Sequence, residues 1–180
     1  MNSLHIDNRG IVSDALFIES PNQDHRPPDS EITLIVIHNI SLPPQQYGGD
    51  GVIRLFTNQL DPKAHPYYAE IHQLRVSSHF FIRRDGSLLQ FVPCQRRAWH
   101  AGKSNWQGRE NCNDFSIGIE LEGSDFDAFE AAQYTTLNRL LVALQQAYPI
   151  TAIIGHSDIA PGRKTDPGPF FDWSRLQLSA

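Results

Sequence analysis

The chain predicts a single domain of the α/β class, and three observations point there. Ile32–Ile37 is a nearly all-apolar, β-branched run with the length of a strand buried on both faces. Phe115–Gly123 alternates strictly and is followed by a helical apolar stripe from about Glu130 to Tyr148. A second short apolar run, Thr151–Gly155, returns after that helix. At 180 residues the chain can bury a sizeable core, and nothing in it demands two domains.

Residues 1 to 31 are mixed and end in the turn-rich Pro21–Ser30, which predicts an irregular surface arm. After the first strand, His38 and Asn39 follow at its C-terminal end, and Pro43-Pro44 forbids an immediate helix. A helix capped by Asp50 or Gly51 is expected from about Val52 to Leu60, facing a core with Ile53, Phe56 and Leu60. Residues 62 to 76 predict a loop rich in aromatic residues and histidine. Ser78–Arg83, Asp85-Gly86 and Leu88–Val92 compose a β-hairpin, because Asp-Gly supplies the positive dihedrals of a tight turn. Arg97–Gly102 opens a long polar loop reaching Asp114, a length that in a compact domain usually serves function. In the next strand Phe115, Ile117, Ile119 and Leu121 point one way, and Ser116, Gly118, Glu120 and Glu122 the other. The following helix buries Tyr134, Leu137, Leu140, Leu141 and Leu144, and Pro149 ends it. The tail, Phe170–Leu176, docks as an aromatic patch or short helical turn.

Fifteen basic and twenty acidic residues leave a formal net charge of −5, which argues against a nucleic-acid or anionic-membrane partner. Cys94 and Cys112 stand without a disulfide framework, so reduced thiols in a reducing compartment are expected. His5, Asp7, Arg9 and Asp14 interrupt the stretch where a secretion signal needs an apolar core, and no run is long enough to span a bilayer. A cytoplasmic monomer is the expectation.

The chemistry concentrates between Gly155 and Pro169. Three prolines and three glycines in those fifteen residues disfavour helix and ladder strand and predict a stiff loop at a strand end, where α/β proteins keep their sites. His156 follows one apolar strand as His38 follows another, so neighbouring strands would bring both imidazoles to one rim. Asp166 can return to that rim as a carboxylate. Two histidines and an aspartate with an open fourth position would make a catalytic zinc site, although a strand-end histidine is also an ordinary satisfied polar residue. Glu120 and Glu122 are each either solvated or aimed into a cleft as a general base, and periodicity does not choose between them. Lys164 is either a solvated charge or a fixed cation beside an oxyanion. Trp99 either packs the core or stacks on a sugar face, with His100 beside it. Asn39, Arg75 and Arg163 could hydrogen-bond amide and carboxylate groups of a ligand.

Taken together, Val36–Pro44, Asp61-Pro62 with His65-Pro66-Tyr67, Arg75–His79, Ile82–Gly86, Arg97–Gly102, Asn113–Gly123, Gly155-His156 and Arg163–Pro169 resemble the AmpD-type N-acetylmuramyl-L-alanine amidases. These belong to the wider zinc amidases that share a fold with peptidoglycan-recognition proteins, and the match spans roughly residues 20 to 173. The resemblance implies a central mixed β-sheet flanked by helices and one zinc ion per chain held by His38, His156 and Asp166. It also implies Glu120 as the catalytic carboxylate, Glu122 as its structural neighbour and Lys164 as the group that stabilises the transition state. Asn39, Arg75, Trp99, His100 and Arg163 fall at or near positions expected to hold the anhydromuramyl sugar and stem peptide. Asn111 stands where members carry an arginine, so a contact to the peptide carboxylate is expected to be weaker or to come from Arg109. The implied reaction is hydrolysis of the amide between 1,6-anhydro-N-acetylmuramic acid and L-alanine in muropeptide recycling, which would remove inducers of β-lactamase expression. The rivals are a lysin-like amidase acting on polymeric peptidoglycan and a metal-free peptidoglycan-binding module.

Overall fold

The computed structural model describes residues 3–177. The N-terminal arm is less irregular than its composition predicts, because two short strands pin it: β1 (Leu16–Phe17) and β2 (Gln23–His25). Next comes β3 (Leu34–Ile40), which runs further than the apolar run and so carries His38 and Asn39 inside the strand. Helix α1 (Gly51–Phe56) stops short of Leu60, since Asn58 turns the backbone to φ 59°. Residues 62–76, expected as loop, contain helix α2 (Pro66–Ile71). His65 Nδ1 accepts the Tyr67 N–H at its start, and Pro66 occupies the first turn, where its missing donor costs nothing.

Strands β4 (Phe80–Ile82) and β5 (Leu88–Gln90) form the expected antiparallel hairpin. At its turn Gly86 has φ 85° and lies against the Ala132 carbonyl, where a Cβ would sit 2.9 Å from that oxygen. The predicted long loop is instead built from β6 (Arg96–Ala98), which pairs with β2, a small hairpin of β7 (Asn105–Trp106) and β8 (Arg109–Glu110), and a 3-10 turn at Cys112–Asp114. Then follow β9 (Ser116–Glu122), α3 (Ala131–Ala147), β10 (Ala152–Gly155) and a four-residue helix α4 (His156–Ile159). That last helix corrects the expectation of an all-loop segment after Gly155. The tail closes with a 3-10 turn at Trp173–Arg175.

Six strands make one mixed sheet in the order β1-β5-β4-β9-β3-β10, with β4, β9, β3 and β10 parallel. Alternation gives the sheet two faces. Ile35, Ile37, Ile117, Ile119 and Leu121 pack with Tyr134, Leu137, Leu140, Leu141 and Leu144, so the predicted stripe of α3 covers one face. The opposite face carries two separate apolar clusters. One gathers Leu55 and Phe56 of α1 and Tyr68 of α2 around Phe81 and Leu89, and the other joins Leu34 and Val36 to Cys112, Phe115 and Ile159. Phe115 therefore sides with the face opposite Ile117, because it precedes the strand proper with φ −130° and ψ 15°. His38 and Glu120 occupy the strand positions on that second face. Cys94 and Cys112 are both buried and free. Among the described residues, no helix is long and apolar enough to cross a membrane.

Candidate metal centre

Sheet register assembles the site. His38 lies opposite Glu120 across β3 and β9, and Gly155 lies opposite Ile37 across β10 and β3. Three parallel strands thus deliver His156, His38 and Glu120 side by side at their C-terminal ends, the edge where open α/β sheets bind ligands. Asp166 comes back to the same edge because its carbonyl accepts the Ser157 N–H at 3.0 Å and the next carbonyl, of Pro167, accepts Asn39 Nδ2 at 3.0 Å.

His38 Nδ1 lies 3.0 Å from His156 Nδ1, and Asp166 Oδ2 lies 2.9 Å and 3.0 Å from those two nitrogens. Both rings are almost wholly buried. Among the described residues these three side chains are the group whose ligand atoms converge within 4.8 Å. The donor chemistry fits a zinc ion: His156 Nε2–H donates to the Ala101 carbonyl at 3.0 Å, so its Nδ1 presents a lone pair, and a carboxylate oxygen completes an N, N, O set. Burial outweighs the pull of Asp166 and brings the His38 pKa down to about 4, which keeps that imidazole neutral, the form a metal ligand needs.

Glu120 is 8 % exposed, and its Oε2 is buried without a hydrogen-bond partner. Burial raises its pKa well above the carboxylate range, Asp166 adds to the rise, and Lys164 offsets part of it. A buried acid with an unused oxygen is poised to exchange a proton. Glu122 differs, because its two oxygens accept the Gly48 N–H at 2.6 Å and the Arg84 N–H at 3.1 Å.

His38, His156, Asp166 and Glu120 line a cleft of about 560 Å³. Lys164 and Trp99 line it too, as do Tyr67, Ile71, Leu74 and the well-exposed Phe126; of these four the sequence named Tyr67 alone, in the His65-Pro66-Tyr67 block and without a role in a site. The aromatic content of residues 62 to 76 was a signal for Tyr67, and no sequence pattern marked Ile71, Leu74 or Phe126. A larger hollow of about 710 Å³ lies across α3 between Leu4, Tyr134 and Arg175, and it contains no metal-ligating group among the described residues.

Several expected ligand contacts are otherwise engaged. Arg75 does not line the cleft, because its guanidinium folds back on the carbonyls of His72, Gln73 and Leu74. Arg109 is drawn over the Phe115 ring, 3.8 Å from its centroid, and Asn111 borders a separate hollow, so neither reaches the cleft. Asn39 and Arg163 do line it, yet Asn39 Nδ2 donates to Asp125 and Pro167, and Arg163 Nη2 donates to the Ala101 and Lys103 carbonyls. His100 lines the cleft with both ring nitrogens turned inward, to His38 Nε2 at 2.9 Å and Ser116 Oγ at 3.1 Å.

Residues 28–169 match the family described as N-acetylmuramoyl-L-alanine amidase. The chain is 55% identical over 172 residues to the 1,6-anhydro-N-acetylmuramyl-L-alanine amidase AmpD of Escherichia coli K12, covering 94% of each chain. A crystal structure of a selenomethionine AmpD derivative superposes with a TM-score of 0.93 at 54% identity, covering 95% of this chain and 96% of that one. The amidase AmiD of E. coli, solved with anhydro-N-acetylmuramic acid-L-Ala-D-γ-Glu-L-Lys, superposes with a TM-score of 0.61 at 28% identity, covering 97% of this chain and 64% of that one.

Proposed function

The chain belongs to the N-acetylmuramoyl-L-alanine amidase family, and from that membership we propose that it is a zinc enzyme acting on cytoplasmic anhydromuropeptides. The bond cleaved is the amide between the lactyl carbonyl of 1,6-anhydro-N-acetylmuramic acid and the first L-alanine of the stem peptide. The observation that carries the reading is the meeting in one cleft of the His38, His156 and Asp166 ligand atoms with the unpartnered Oε2 of Glu120. The names of the AmpD relatives support the same substrate.

His38, His156 and Asp166 would hold the zinc ion, which would supply Lewis-acid chemistry towards a carbonyl and a water molecule. Glu120 takes a proton from the attacking water and returns it to the nitrogen of the leaving alanine as the C–N bond breaks. Lys164 brings its ammonium to the carbonyl oxygen as that atom gains charge, a contact whose loss costs on the order of a hundredfold in turnover. Trp99 and Phe126 offer apolar walls for the sugar and the peptide stem. The setting is recycling of cell-wall fragments, and removal of these fragments would lower the inducers of β-lactamase expression.

Purified protein is expected to hold one zinc per chain by metal analysis and to release free peptide from soluble anhydromuropeptide faster than from intact sacculi. A Glu120→Ala variant with normal turnover would remove Glu120 from its role, and protein without zinc that still cleaves would remove the metal.

A further inference from the structure

The hydrogen bonds behind the two histidine ligands run in one direction, and the direction is set by backbone carbonyls that can only accept. Ser116 Oγ lies 2.5 Å from the Cys112 carbonyl, so the hydroxyl proton is committed there. Its lone pair is then left for His100 Nε2–H at 3.1 Å. That placement leaves His100 Nδ1 bare, 2.9 Å from His38 Nε2, which must carry the proton that joins them. His38 Nδ1 is consequently an unprotonated lone pair facing Asp166 and His156. A proton on His100 Nδ1 would invert the whole sequence.

The space for this arrangement is built into β9. Gly118 lies directly beneath the His100 ring, and a Cβ there would come within 2.5 Å of it. Ser116 and Gly118 share the sheet face of Glu120. The residue next to His100 provides for the second ligand, since the Ala101 carbonyl accepts His156 Nε2–H and also the Arg163 guanidinium at 2.8 Å. Asn113 Oδ1 holds this pair of residues in place by accepting the His100 and Ala101 N–H groups at 3.1 Å and 2.8 Å.

We propose that His100 is a positioning residue of the metal centre rather than a substrate contact: it fixes the proton of His38 on Nε2 and aims Nδ1 at the ion, in a seat formed by Gly118 and Ser116. The proposal rests on the zinc reading above. Partners of this kind typically govern metal affinity by about 10–100-fold.

The test is competition for zinc against a chromophoric chelator, with wild type, His100→Ala, His100→Gln and Gly118→Ala compared. His100→Ala is expected to bind zinc about 10–100-fold more weakly. His100→Gln, which keeps an acceptor, should recover part of that loss, and Gly118→Ala should weaken zinc by displacing the ring. In zinc-loaded wild type, 15N spectra of the imidazoles should show both His38 and His100 protonated at Nε2. Unchanged zinc affinity in His100→Ala with a raised KM for anhydromuropeptide would overturn the proposal, and so would a proton on His100 Nδ1. The spectral measurement decides even where a variant does not fold. Wild type that binds no zinc would instead bring down the metal reading itself.

Discussion

Glu120 and Glu122 stand two residues apart on one strand face, and only their partners divide them. Glu122 receives two backbone N–H groups from Gly48 and Arg84, so its removal takes the acceptor from two part-buried hydrogen bonds. Each lost hydrogen bond costs about 0.5–1.5 kcal/mol, and Glu122→Ala should lower the denaturant midpoint accordingly while zinc stoichiometry stays at wild-type level. Glu120 behaves in the opposite sense. Its pKa is raised by burial, so in zinc-free protein the ionised form is favoured less in the fold than in the unfolded chain, and any stability it confers is lost as pH rises. Zinc-free Glu120→Gln is therefore expected to melt at or above the wild-type temperature at pH 7, with turnover lost in the loaded enzyme; a clear drop in melting temperature would refute this. Strict alternation in the sequence put both glutamates on one face and could go no further. Gly48 and Arg84 lie 74 and 38 residues away in the chain, and no local pattern announces them.

At the scale of elements, legibility followed length and period. The strand β3 was readable as an unbroken β-branched apolar run, and β9 and α3 because each repeats its apolar spacing several times. The six residues of α2 and four of α4 are too short to show a helical period, and prolines and glycines around them read as loop. Strands β1 and β2 gain their order from partners, β5 and β6, far along the chain. How α3 is tied to the sheet was equally hidden. Gln133 is fully buried, its Oε1 accepts the Glu130 N–H, and its Nε2 donates to the carbonyls of Ile82 on β4 and Glu122 on β9. One side chain thus joins the start of the helix to the strand ends that carry the site. Gln133→Ala should destabilise the fold by about 1–3 kcal/mol for each group left unpaired, measured by urea unfolding. A change below about 0.5 kcal/mol would show that water replaces the link.

Across the whole molecule, the second sheet face is a row of buried imidazoles set between two apolar clusters, and this arrangement predicts how the fold meets acid. His79 is held neutral, because burial and then the Arg26 guanidinium push its pKa down to about 3. Its Nδ1 accepts the Gly118 N–H at 3.1 Å, a bond that a second ring proton would break. Arg26 itself is locked in place, donating to the carbonyls of Asn113, Asp114, Cys94 and Ser116, so it does not move away from an added charge. His38, brought down to about 4, responds in the same sense. In the unfolded chain a histidine titrates near 6.5, so below that pH the unfolded state binds the more protons and stability falls towards the depressed folded values. Each such histidine contributes a slope of up to about 1.4 kcal/mol per pH unit. Urea midpoints of zinc-free protein should therefore drop steadily from pH 7 to pH 5, and His79→Gln, which never charges, should drop less steeply. A His79→Gln profile as steep as that of wild type would show that His79 contributes no such slope.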